Sequence, residues 1–92
     1  MNKSEAKQLL ATLLASESAR PYSDLRELVV ASHVEGIEVQ GPSGMGYQIE
    51  VQYFWDDKPE NTIRIIASID NGELLQFIAP LSQSELVERP NP

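Results

Sequence analysis

The sequence predicts an α+β fold: an N-terminal helix and a shorter second one packed on a four-stranded antiparallel β-meander, with a short C-terminal helical turn. Three observations carry this expectation. Ala6, Leu9, Leu10, Leu13 and Leu14 recur at helical spacing. Residues 47–55 and 62–70 alternate between apolar and polar side chains with period two. Asn71-Gly72 follows directly, and that pair suits the positive φ angles of a type I′ hairpin turn.

The elements follow in order. Asn2 is placed to cap a helix over residues 3–17, with Glu5 three positions later giving a box-like start. Arg20-Pro21 closes that segment, because the residue before proline avoids helical angles. Ser23-Asp24 opens a second helix over residues 24–31, in which Leu25, Leu28 and Val29 repeat at helical spacing. Gly36 interrupts the pattern, and Ile37 and Val39 then alternate with Glu38 and Gln40 as a short strand over 36–40. The glycine-rich loop at 41–46 matches no phosphate-binding fingerprint, since no Lys-Ser or Lys-Thr follows and a strand comes next. Strands over 47–55 and 62–70 are joined by the turn from Asp56 to Asn61. The Asn71-Gly72 turn returns a fourth strand over 73–79, stopped by Pro80. Ser82 with Glu85 reads as a capping box, flanked by Leu81 and Leu86, for a helical turn over 83–88.

Composition narrows the function. The 92 residues fit one domain, 1–92, with a modest core. The absence of cysteine removes disulfides, thiolate metal sites and thiol nucleophiles, and points to the cytoplasm. Fourteen acids against seven Lys and Arg give a net charge of −7, which repels nucleic-acid backbones and anionic membranes. No apolar run has the length of a membrane span, and the N-terminus does not read as a signal peptide. Neither a nucleic acid nor a membrane is therefore expected as a partner.

Chemistry-bearing residues are sparse. His33 is the sole histidine, and no serine or threonine is tied to it by spacing, so no catalytic residue is assigned. Asp56, Asp57 and Glu60 crowd one turn, but their spacing is not that of a calcium loop and Lys58 sits among them. No metal site and no cofactor are expected.

Register then sorts the sheet into two faces. Pairing the apolar positions sets Trp55 against Ile63, Tyr53 against Ile65 and Val51 against Ala67. The Asn71-Gly72 turn sets Ser68 against Leu75, Ile66 against Phe77 and Arg64 against Ala79. One face then holds the Ile- and Val-rich positions and forms the bed for the leucine stripe. The other carries Phe54, Ile66, Leu75 and Phe77 beside Glu50 and Arg64, an apolar patch with a charged border. Three readings compete for it. The second helix or the C-terminal turn covers it, it is a dimer or partner surface, or it closes a small-molecule pocket.

The leading expectation is a small non-enzymatic interaction domain that self-associates as a dimer, or binds another protein, through this second face. The alternative is a small-ligand binder or minor enzyme on the same face, with Tyr53 or Tyr47 joining Glu50 and Arg64. A third is an acidic inhibitor or immunity-type protein that blocks a basic site. In its order of helices, long antiparallel meander and terminal turn, the chain resembles the cystatin-like and nuclear-transport-factor-like cone folds. The resemblance covers most of the chain by element order and rests on no motif, so it implies a fold and no activity.

Overall fold

A computed structural model describes residues 2–71 and 81–91. Two helices, α1 (Lys3–Ser18) and α2 (Tyr22–Val30), precede four strands: β1 (Val34–Gln40), β2 (Gly46–Trp55), β3 (Ile63–Asp70) and β4 (Leu81–Val87). The strands form one antiparallel sheet in the order β1-β2-β3-β4. This is the expected α+β class, with both helices on the sheet.

Asn2 caps α1 as expected, its side chain accepting the Glu5 N–H at 3.0 Å. Only half of a capping box forms, because the Glu5 carboxylate turns outward to the loop between β1 and β2. α2 begins at Tyr22, two residues before the expected start. Pro21 stands at its N-cap, and its carbonyl accepts the N–H groups of Asp24 and Leu25. α2 ends by a Schellman arrangement: Ser32 N–H donates to Val29 C=O and His33 N–H to Leu28 C=O, with Ser32 in the left-handed region at φ 52°.

The β2–β3 register is the expected one, with Trp55 opposite Ile63, Tyr53 opposite Ile65 and Val51 opposite Ala67. It places Tyr47, Ile49, Val51, Tyr53, Ile63, Ile65, Ala67 and Ile69 on one buried face. Ala6, Leu10 and Leu14 of α1 and Leu25 of α2 close over them. α1 lies above β3 and β4, and α2 above β2 and β3. Each large side chain so buried contributes about 1.5–3 kcal/mol before conformational entropy is subtracted.

Two expectations are overturned. Residues 83–88 are not a helical turn, since Leu81–Val87 is a strand paired with β3. Six residues make a marginal helix, and these have no apolar stripe to bury. As a strand they place Leu81 and Val87 opposite Ile69 and Ile63 and satisfy the open ladder of β3. The register of β3 is corrected with it: Ser68 faces Ser82, Ile66 faces Ser84 and Arg64 faces Leu86, in place of Leu75, Phe77 and Ala79. The strand expected over 73–79 and the Gly72 half of its turn lie outside the described residues.

Candidate interaction surface

Because side chains alternate along a strand, burying the odd-numbered positions of β2 and β3 turns the even-numbered ones to the opposite face. That second face carries Glu50 and Phe54 from β2 and Arg64 and Ile66 from β3, four of the six residues singled out by sequence. The other two, Leu75 and Phe77, lie outside the described residues. Among the described residues neither helix packs on this face. The expectation that α2 covers it is corrected, since Leu25 of α2 joins the buried cluster on the other side.

The structure adds two residues to the patch. Val34 and Leu86 are diagonal neighbours of Phe54 and Ile66, so Val34, Phe54, Ile66 and Leu86 mark a zigzag across all four strands, with Gln52, Arg64 and Ser84 directly opposite them. Phe54, Leu86 and Val34 remain 45%, 48% and 50% exposed. Leu86 is missed by sequence because Ser82-Glu85 resembles a capping box. Val34 is missed because the strand signal starts only after Gly36.

Arg64 stands inside the patch, between Phe54 and Leu86 on the neighbouring strands. Its guanidinium is held from both sides, at 2.8 Å from Asp56 Oδ1 and 2.8 Å from Ser84 Oγ. It is thus a fixed polar element in an apolar surface. Farther along the face the character changes, and Glu38, Gln48, Glu50 and Asp70 line an open groove of about 480 Å³. The face is therefore apolar at one end and acidic at the other.

Several polar groups elsewhere are engaged structurally. Glu5 accepts Ser43 N–H, Ser43 Oγ–H and the Tyr47 hydroxyl. Glu17 accepts the Tyr53 hydroxyl and pairs with Arg20. Burial, and then the Glu17 bond, push the Tyr53 phenol well above its ordinary range. Tyr47 and Tyr53 thus lie on the opposite face of β2 from Glu50, and the group expected to surround a small ligand does not converge. Asp57 accepts Lys58 N–H and the Asn61 amide, which lowers its pKa and stabilises the turn. His33 Nε2 lies 2.6 Å from Glu35 Oε2 at an exposed edge. Among the described residues no three His, Asp or Glu side chains gather as a metal-holding group.

Among the described residues no helix is long and apolar enough to cross a membrane. Comparison with protein-family models, curated proteins and solved structures gives no match in any of the three. The expected resemblance to the cystatin-like and nuclear-transport-factor-like cones is not confirmed, and the terminal turn in its element order is the strand β4.

Proposed function

We propose that this chain is a non-enzymatic protein-interaction domain that self-associates through the second face of its sheet. The observation that supports this reading is the zigzag of Val34, Phe54, Ile66 and Leu86, on a face that neither helix covers. Large apolar side chains gathered exposed on one sheet face are a mark of interaction sites. The two-ended character of the face favours a second copy as the occupant. A two-fold arrangement that overlaps only the apolar ends sets apolar on apolar and swings the two acidic ends apart. Full overlap would instead press Glu38, Glu50 and Asp70 against a chain that also carries −7. Such a surface does no chemistry. Arg64, held by Asp56 and Ser84, fixes orientation in it.

Sedimentation of the wild type beside Phe54→Glu and Leu86→Glu tests this. Both variants are expected to lose association through this face while melting as the wild type does, because both side chains are already half exposed. Association unchanged in both variants overturns the proposal.

A further inference from the structure

A second surface, sharing only Val34 with the apolar zigzag, lies along the outer edge of β1. β2 occupies one side of β1, and among the described residues no strand lies on the other. Five of its seven residues, Val34, Glu35, Gly36, Glu38 and Gln40, are exposed. No proline interrupts it. Gly41 N–H donates to Met45 C=O at 2.9 Å, which fixes the parity of the β1–β2 ladder. Gly41 is in register with Met45, so residues 39, 37 and 35 also turn their backbone groups to β2. Residues 34, 36, 38 and 40 direct their N–H and C=O groups outward.

We infer that this edge pairs antiparallel with the β1 edge of a second copy, about a two-fold axis at Ile37, to give a continuous eight-stranded sheet. Backbone parity restricts the axis to Gly36, Ile37 or Glu38, because an axis between residues would set outward groups against inward ones. An axis at Glu38 sets two glutamates directly opposite, which is unfavourable. An axis at Gly36 leaves Val39 and Gln40 opposite the turn that ends α2. The axis at Ile37 pairs all seven residues and provides about eight backbone hydrogen bonds.

The side chains follow the same symmetry. Each Glu35 faces the other copy's Val39, each Val34 faces Gln40, and each Glu38 faces Gly36. No like charges stand opposite one another. A Cβ at Gly36 would meet nothing within 4 Å, so this position offers open space beside the facing glutamate. Ile37 and Val39, only partly buried in one chain, gain the second copy's Ile37 as a neighbour on the helix-bearing side. The axis runs perpendicular to the sheet, so the second faces of both copies lie on one side.

The experiment is sedimentation equilibrium of the full chain with Gly36→Lys and Gly36→Glu. Lysine at 36 faces Glu38 twice per dimer and glutamate at 36 repels it twice. The dissociation constant should therefore fall about three- to tenfold in the first and rise by as much in the second. Ser16→Lys, on the exposed side of α1, controls for net charge and is expected to leave the constant within twofold of wild type. Register is read directly by cysteine. Ile37 faces its own copy as a non-hydrogen-bonded pair with Cα atoms about 4.5 Å apart, inside the disulfide range. Oxidised Ile37→Cys should run as a covalent dimer and Glu38→Cys as a monomer. A wild type without this contact, shifts of the same sign in Gly36→Lys and Gly36→Glu, or cross-linking through position 38 in place of 37 overturns the inference. The result is separable from the face contact, because Phe54→Glu leaves the edge dimer intact.

Discussion

The Tyr47 hydroxyl donates to the Glu5 carboxylate at 2.7 Å, tying the first turn of α1 to the start of β2 across 42 positions of chain. The same carboxylate accepts Ser43 N–H at 2.8 Å and Ser43 Oγ–H at 2.7 Å. One side chain thus anchors the amphipathic helix and the glycine-rich loop to the buried face. Tyr47 is a large apolar body with a polar tip, and the bond to Glu5 lets it be almost wholly buried with that tip satisfied.

Gly41 belongs to this arrangement by its lack of a side chain. A Cβ there would overlap Glu5 Oε1. Gly41→Ala is therefore expected to displace the carboxylate and lower the melting temperature. Glu5→Ala is expected to lower it too, by removing the acceptor. In the double variant the alanine at 41 has nothing to displace, so its effect should almost vanish. A double-mutant cycle by thermal melts checks this, with strong non-additivity as the expected result.

The Ser43 N–H, followed by the Ser43 and Tyr47 hydroxyls, holds the Glu5 pKa below its ordinary value. A carboxyl depressed on folding contributes stability that is complete above its unfolded pKa, about 4.3. That contribution is lost as pH falls through the lower folded value. Wild-type melting temperature should therefore drop more steeply below about pH 4.3 than that of Glu5→Gln, the two curves converging in acid. Parallel curves would show that Glu5 titrates alike in both states.

These contacts explain what the sequence made legible. The alternation in β2 and β3 is broken only by Phe54 and Ile66 on the outer side, and the other face is apolar throughout, so a slip of one residue would expose the entire core. The register from Trp55–Ile63 to Val51–Ala67 is for that reason readable without coordinates. The C-terminal strand is not. Ser82 and Glu85 satisfy the spacing of a capping box, while the deciding term is the open ladder of β3, a non-local partner that local spacing does not encode. The acceptor role of Glu5 was hidden similarly: its place three residues after Asn2 has a local explanation, and Ser43 lies 38 positions away. At the interaction surface, Phe54, Ile66, Glu50 and Arg64 follow from alternation, whereas Val34 and Leu86 depend on where the edge strands begin and end.

Proline substitution separates strand from helix at the C-terminus. Asp56 N–H donates to Thr62 C=O, so the even positions of β3 turn to β2 and the odd ones to β4. Gln83 opposite Ala67 is then a hydrogen-bonded pair, while the Ser82 N–H points outward. Gln83→Pro should cost about 1–3 kcal/mol through the orphaned Ala67 carbonyl. Ser82→Pro should cost under about 1 kcal/mol, since proline is accepted on an edge. A helix capped by Ser82 would reverse the order, because position 83 would then be N1, where proline is favoured. Chemical denaturation of the two variants decides between them.

Ser32 carries φ 52° at the position where α2 releases the chain into β1. Its N–H and that of His33 close the last turn on Val29 and Leu28, so the geometry is set by the helix end and not by the serine side chain. A residue with a Cβ pays about 1–2 kcal/mol in the left-handed region, and glycine does not. Glycine also gives the unfolded chain more freedom, which offsets part of that gain. Ser32→Gly is therefore expected to stabilise the fold by about 0.5–1 kcal/mol, raising the melting temperature by a few degrees. Ser32→Val should do the opposite, since a β-branched residue is worst in this region. If both substitutions lower the melting temperature alike, the serine hydroxyl, and not the backbone angle, carries the stability at this position.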